Sequence, residues 1–162
     1  LPLSRKAYAG MEYGKFSETN LRDVPVEVFR KFGDRLPENW RKRAEHWFGE
    51  YARVEKGAEA WRNGDIEAFG QLSFESGRSS IEKWETGSPE LKKIYEIMTR
   101  TDGIYGGRFS GAGFKGCCMA LIDPSFKEEI FKKIETEYLA EFPDLRGHYS
   151  ACICHSADGV KI

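Results

Sequence analysis

The strongest periodic pattern in the chain places apolar residues three or four positions apart over about six helical turns. Charged residues occupy the positions between them, among them Glu50 and Arg53. The pattern predicts an amphipathic helix that packs its apolar stripe on a core, and Asn63-Gly64 ends it. His46 lies beside the stripe, and we interpret it as a structural residue. The stripe consists of Trp40, Ala44, Trp47, Phe48, Tyr51, Val54, Ala58 and Trp61.

Shorter helical patterns lie on both sides of this helix. Apolar residues from Val24 to Phe32 predict a short helix that Gly33 ends. Asp65 is placed to cap a helix that begins with Ile66, and Ser88-Pro89-Glu90 is a second cap with proline in the first turn. Asp123-Pro124 predicts the start of a long helix, which Pro143 ends. The following residues supply the apolar faces: Phe69, Leu72, Leu91, Ile94, Tyr95, Met98, Phe126, Ile130, Phe131, Ile134, Tyr138 and Phe142.

Four segments have the features of strands. The first begins at Ile104-Tyr105, and the second is the apolar run Cys117–Ile122, which we expect to be buried on both faces. Tyr149–His155 is the third, and Asp158-Gly159 predicts a hairpin turn into a short edge strand, Val160–Ile162. The sequence therefore predicts an α+β fold, with helices packed on one face of a mostly antiparallel four-stranded sheet.

Composition narrows the class of protein. The 162 residues carry a net charge of −1 and are 40% hydrophobic, as in an ordinary globular domain, and no basic excess suggests nucleic acid as a partner. No apolar run reaches the roughly 20 residues of a membrane span. The amino terminus lacks the apolar core of a signal peptide, so we expect a cytoplasmic protein. The chain does not begin with methionine, and we expect a fragment or a processed product.

The four cysteines do not form a metal-binding pattern. Cys117-Cys118 are adjacent and Cys152-x-Cys154 are separated by one residue, whereas zinc sites favour pairs separated by two to four residues. We expect all four to pack as small apolar side chains in strands, without disulfides and without a metal.

Two small-residue segments have features of a binding site. In Ser76–Ser80 we favour a close helix contact over a hydroxyl-rich wall beside a ligand. Ser110–Gly116 can place backbone amides and one cation around an anion, since glycine permits positive φ. From the residues alone, a tight turn between two strands explains this second segment equally well. Walker-type phosphate loops, nucleophile elbows and dinucleotide fingerprints have no match in the chain.

The string GGRFSGAGFKGCCMALID, residues 106–123, resembles the third motif of the GHMP kinases, in its galactokinase-like branch. Arg43-Ala44-Glu45-His46 with Glu50 and Arg53-Val54 is similar to a helix of that branch, and Phe69-Gly70-Gln71-Leu72 is similar to the next. Pro89-Glu90-Leu91 and Gly103–Gly106 are similar to the run into the motif. The resemblance covers roughly residues 37–162, which we assign to a GHMP kinase C-terminal domain with a ferredoxin-like layer. Residues 1–36 are then an extension with a short helix.

Within the family, Ser76–Ile81, Glu85–Ser88 and the charged Lys115 are more similar to galacturonokinases than to galactokinases, which usually have glycine at the last position. The resemblance implies an ATP- and Mg²⁺-dependent kinase that phosphorylates the anomeric hydroxyl of galacturonate or a related sugar. Galactose and arabinose are alternative acceptors, and a non-catalytic anion-binding module is an alternative of another class.

The resemblance also implies which site residues the chain carries. It implies that a glycine loop lies near phosphate or substrate. Arg108, paired to a carboxylate, is expected to support this loop, as are Ser76, Ser79 and Ser80. The loop residues are Ser110, Gly111, Ala112, Gly113, Phe114, Lys115 and Gly116.

The family's Gly-Leu-Ser-Ser-Ser phosphate motif and its catalytic aspartate have no match among these residues. We therefore expect no catalytic residue and no metal ligand in this chain, a missing amino-terminal kinase half as a partner, and no activity of the chain alone. We also expect an exposed apolar surface, through which the chain can dimerise.

Overall fold

The computed structural model describes residues 20–155. Five α-helices and two β-strands lie in this part of the chain, with short 3-10 turns between some of them. The elements in chain order are α1 (Val26–Phe32), α2 (Glu38–Arg62), α3 (Ile66–Glu82), α4 (Pro89–Met98), β1 (Ile104–Phe109), β2 (Cys118–Ile122) and α5 (Lys127–Glu141).

The helix starts follow the predicted capping residues. The Asp65 carboxylate accepts a hydrogen bond from the Ala68 amide at 3.0 Å, and the Ser88 hydroxyl accepts one from the Leu91 amide at 3.4 Å. Asp123 accepts one from the Ser125 amide at 2.9 Å at the turn before α5. Each cap satisfies an amide that the first helical turn leaves without a partner. These predictions are confirmed.

The sheet of the described part has two antiparallel strands, in which Gly107 lies opposite Ala120 and Phe109 opposite Cys118. The α+β class is confirmed, whereas four strands are not seen. The strand expected at Tyr149–His155 is wrong, because this segment is irregular and Tyr149 packs on the Tyr138 ring of α5 instead. The predicted hairpin and fourth strand lie outside the described residues.

The expectation that β2 is buried on both faces is wrong. Met119 is 58% exposed and Ala120 is exposed, because β2 has β1 as its one neighbour in the described part and no helix covers both faces. Cys117, Cys152 and Cys154 are likewise exposed, against the expectation that they pack inside, and Cys118 is partly buried. Burial raises the pKa of the Cys118 thiol to about 12, so this group stays protonated at neutral pH.

Helix α3 packs directly on β1 through glycine. A Cβ added to Gly70 would lie 2.2 Å from the Tyr105 carbonyl oxygen, and one added to Gly106 would lie 2.0 Å from the Gly70 carbonyl oxygen. Two turns further along, the Gly77 backbone lies against the Tyr95 ring. The favoured interpretation of the small residues in α3 as a close helix contact is therefore confirmed. This contact positions β1, and with it the loop that follows.

The apolar stripe predicted for α2 is only partly buried. At the amino-terminal half, Trp47 and Phe48 pack against the buried Leu21 and Val24, which precede α1. At the carboxy-terminal half the stripe is open: its members Tyr51, Val54, Ala58 and Trp61 are exposed. This half of the helix instead buries Gly57 and Ala60, which lie on a neighbouring face against α3, whereas the stripe member Ala44 is buried in the amino-terminal half. For the carboxy-terminal half of α2, the prediction that the stripe packs on the core is therefore wrong.

A second apolar cluster holds α4 against α5. Its buried members are Ile97, Tyr138 and Leu139, with Ile94 and Phe142 packed around them. No helix within residues 20–155 has the length and apolar character that crossing a membrane requires.

Candidate anion-binding loop

The loop between β1 and β2 depends on three glycines with positive φ. Gly111, Gly113 and Gly116 have φ values of +68°, +80° and +121°, a region that other L-residues rarely adopt. The Ser110 amide closes the loop by donating to the Cys117 carbonyl at 2.8 Å. The connection is therefore longer than a two-residue hairpin turn, and its three glycines adopt backbone conformations that other residues avoid.

The base of the loop rests on Phe109 and on the start of α4. Phe109 is 1% exposed, and a Cβ at Gly113 would lie 2.5 Å from its ring. The Ser88 amide donates to the Gly113 carbonyl at 2.6 Å, so the residue that caps α4 also holds the loop. One side of the loop is thus fixed to the core, and its tip is left facing solvent.

The tip presents exposed backbone amides. Within residues 20–155, the amides of Gly111, Ala112 and residues 114–116 donate no backbone hydrogen bond. Gly111, Ala112, Lys115 and Gly116 are exposed, and Phe114 is 62% exposed. Backbone amides of this kind, beside glycines with positive φ, can converge on an anion, and a lysine adds a positive charge. The loop thus has the features that anion binding requires, and the binding itself stays a prediction.

Arg108 points away from the loop tip and connects β1 to two helices. Its guanidinium donates to the hydroxyls of Ser76 and of Ser80, the latter at 3.4 Å, and lies 3.6 Å from the Glu50 carboxylate. The carboxylate partner predicted for Arg108 is therefore present. Ser79 does not contact Arg108, and its hydroxyl lies 2.9 Å from Nδ1 of His46. The three serines thus contact the helices rather than the loop, and their part in binding stays a prediction.

Glu50 is the centre of this polar network, a role that sequence reasoning missed. It accepts hydrogen bonds from the Ser76 hydroxyl at 2.8 Å and from Nε of Arg53 at 3.0 Å, while Nε2 of His46 lies 3.8 Å away. The signal was available, because polar residues recur at positions 46, 50 and 53, at helical spacing on the face next to the apolar stripe. The same pattern is also typical of a solvated charged face.

Burial and hydrogen bonding shift the pKa values of Glu50 and His46 in this network. Burial alone would raise the pKa of Glu50, but the hydrogen bonds from Arg53 and Ser76 outweigh it and the pKa is lowered. Burial lowers the pKa of His46, and it outweighs the attraction of the neighbouring Glu50 carboxylate. At neutral pH the network therefore holds an ionised Glu50 beside a neutral His46.

We expect the stability of the chain to fall as the pH decreases from 7 to 5. The unfolded chain takes up a proton on His46 near its ordinary pKa of 6.5, whereas the folded chain resists it, so protonation favours unfolding across this window. Below the ordinary pKa of 4.5 for glutamate, protonation of Glu50 removes further stability. Urea unfolding at several pH values measures the effect.

His46→Gln should flatten the pH dependence between 7 and 5, while His148→Gln should leave it as in the wild type, because His148 is exposed. Equal pH dependence in the wild type and His46→Gln would show that the burial of His46 does not couple protonation to folding.

A cavity of about 230 Å³ lies away from the loop, on the α2–α3 surface. Acidic and basic side chains line it in similar numbers. Its lining residues are Glu45, Arg53, Glu75, Arg78, Ser79, Glu82 and Lys83. Across residues 20–155, no group of three histidine, cysteine, aspartate or glutamate side chains is arranged to hold a metal ion.

Comparison with known proteins places these features in a family. Residues 58–140 match the family described as GHMP kinases C terminal. A galacturonokinase of Arabidopsis thaliana is 40% identical over 149 residues, which are 90% of this chain and 35% of that protein. Human galactokinase is 33% identical over 143 residues, which are 88% of this chain and 35% of that protein.

The crystal structure of Lactococcus lactis galactokinase complexed with galactose superposes with a TM-score of 0.76 at 24% identity, covering 88% of this chain and 36% of that one. This likeness shows the fold. The chain spans about 35% of the length of the curated relatives described above.

Proposed function

The chain belongs to the GHMP kinase family, whose C-terminal domain it contains, and from this premise we propose that it is the C-terminal part of an ATP-dependent sugar-1-kinase. The proposed acceptor is the anomeric hydroxyl of galacturonate or a related sugar, and the proposed location is the cytoplasm. The observation that carries the proposal is the open loop of residues 110–116, whose exposed amides donate no backbone hydrogen bond in the described part and which lies within the matched range.

The proposed role of the loop is to hold phosphate oxygens. In phosphoryl transfer the protein mainly positions the groups and stabilises the charge that spreads over the phosphoryl oxygens. Preorganised backbone donors suit this role because they need no reorganisation during the reaction. Phe109 and Ser88 fix one side of the loop, and the Gly70–Gly106 contact fixes β1, so the donors are held by the core.

The two groups that such a kinase requires are ATP and Mg²⁺. The loop amides suit the anionic phosphates of ATP, whose γ-phosphoryl group would be transferred to the sugar. Residues 20–155 contain no group of three metal-binding side chains, but kinases usually hold Mg²⁺ with one or two carboxylates together with the phosphates of ATP. We assign the metal no step on this chain.

We propose galacturonate rather than galactose as the acceptor for two reasons, the sequence identity to a galacturonokinase and the presence of Lys115. The Arabidopsis galacturonokinase is 40% identical to this chain, against 33% for human galactokinase. Lys115 is an exposed cation in the loop. A lysine provides a point charge for a carboxylate or a phosphate, and a uronate differs from a neutral sugar by one carboxylate.

The test is turnover by the full-length protein and by the 162-residue chain, with ATP and each of galacturonate, galactose and arabinose. We expect the full-length protein to phosphorylate galacturonate with the highest kcat/KM, and the 162-residue chain to release no ADP above background. Turnover by the 162-residue chain would contradict the proposal that the chain needs the remaining part of the protein for activity. A full-length protein that binds ATP but turns over no sugar would instead favour a non-catalytic anion-binding module.

Lys115→Gly in the full-length protein tests the specificity. We expect KM for galacturonate or for ATP to rise at least about tenfold, since one charged hydrogen bond contributes roughly 1.5–3 kcal/mol. Lys56→Gly, at an exposed position of α2, is the control for loss of a lysine outside the loop. Unchanged kinetics for both substrates in Lys115→Gly would remove Lys115 from the site.

A further inference from the structure

We propose that the 162-residue chain pairs with a second copy of itself through the open half of the α2 stripe, with the two α2 helices antiparallel. The surface consists of Tyr51, Val54, Ala58 and Trp61, which we call the α2 patch. Tyr51 is 57% exposed, Val54 67% and Trp61 54%, and Ala58 is exposed. Three large apolar side chains left open on one helix face are typical of a surface that binds another protein.

The spacing of the α2 patch is symmetric, which points to a second copy as the occupant. Its members are separated by three, four and three residues, so reversing the helix about position 56 places Tyr51 on Trp61 and Val54 on Ala58. In an antiparallel pair related by a two-fold axis, residue 51 of one copy then faces residue 61 of the other. The large aromatic rings pack at both ends of the contact, and Val54 packs on the small Ala58 in the middle.

The charges beside the α2 patch suit the same pairing. Glu55 and Arg62 are exposed and border the patch on the side away from α3. In the antiparallel arrangement, Arg62 of one copy lies about 7.5 Å along the helix axis from Glu55 of the other, within reach of an extended arginine side chain. The two-fold axis repeats this pair, so both charges at the edge of the patch find an opposite charge.

The area of the α2 patch determines the affinity that we expect for the pairing. Two half-exposed aromatic side chains and one valine present roughly 300–400 Å² per copy, or about 700 Å² in the pair. This area is below the range of stable complexes, which begins at about 1,200 Å². The association is therefore expected to be weak, with a dissociation constant on the order of 100 µM.

Sedimentation velocity on the 162-residue chain, from about 10 µM to about 1 mM, tests the proposal. We expect the weight-average sedimentation coefficient to rise from the monomer value toward that of a dimer over this range. Tyr51→Glu and Trp61→Lys should each keep the chain monomeric. Lys56→Glu should associate as the wild type does, because Lys56 lies about 200° around the helix from Val54.

The double variant Tyr51→Glu with Trp61→Lys distinguishes this geometry from loss of folding. Residues 51 and 61 are about 15 Å apart along one helix and do not touch within a copy. The pairing instead places the introduced carboxylate at position 51 of one copy against the introduced ammonium group at position 61 of the other. Association should therefore return in the double variant and decrease at high salt. A wild-type chain that stays monomeric throughout, or a double variant as monomeric as the single ones, would overturn the proposal.

Discussion

Gly70→Ala is expected to lower the free energy of unfolding of the chain by more than about 3 kcal/mol, or to prevent folding. The added methyl group would lie 2.2 Å from the Tyr105 carbonyl oxygen and 2.9 Å from the Gly106 amide nitrogen. Both are backbone atoms, so no side chain can rotate to make room, and α3 must move away from β1. Urea unfolding followed by circular dichroism measures the loss.

Gly57→Ala is the matched control for this substitution. Gly57 is also a buried glycine within a helix, but a Cβ there would meet only the Phe69 ring, at an ordinary contact distance of 3.7 Å. Alanine favours helix over glycine by about 1 kcal/mol, so this variant should be as stable as the wild type or more so. Similar effects of the two substitutions would mean that the helix–strand contact is not as close as described.

Gly111→Ala in the full-length protein is expected to lower kcat/KM for the sugar by about 100-fold, the effect of removing one donor from a preorganised anion site. Gly111 has a φ of +68° and no atom within 4 Å of an added Cβ, so alanine fits sterically. It strains the backbone by roughly 1–2 kcal/mol and favours a different direction for the loop amides. Steady-state kinetics with galacturonate and ATP measure the loss.

Gly147→Ala provides the control for backbone strain alone. Gly147 has a φ of +89°, also with no atom within 4 Å of an added Cβ, and it lies in the turn after α5 rather than in the loop. Its substitution should reduce stability by a similar amount and leave the kinetics unchanged. If both glycine variants retain full activity, the loop amides do not take part in the reaction.

Local signals predicted the helices well. Asp65, Ser88 and Asp123 bond within three residues of themselves, so the sequence alone specifies where these elements begin. The same holds for the glycine loop, since Gly111, Gly113 and Gly116 adopt the positive φ that their residue type allows. Short-range chemistry is sufficient for both features.

Long-range packing was not predictable in the same way. The periodicity of α2 identified a helix, but whether Tyr51 and Trp61 are covered depends on which element packs there, and α3 packs on the neighbouring face. The expected burial of β2 failed for the same reason, because the number of strands beside it is set by distant segments. The polar network around Glu50 was missed because a charged face next to an apolar stripe has the pattern of a solvated one.

The central claim is that the loop of residues 110–116 binds phosphate through its backbone amides. Amide chemical shifts of the full-length protein, titrated with a non-hydrolysable ATP analogue, test it most directly. We predict saturable shifts for Gly111, Gly113 and Gly116, with Gly147 unchanged. Saturation of the protein with the analogue while these three amides remain unshifted would contradict the claim.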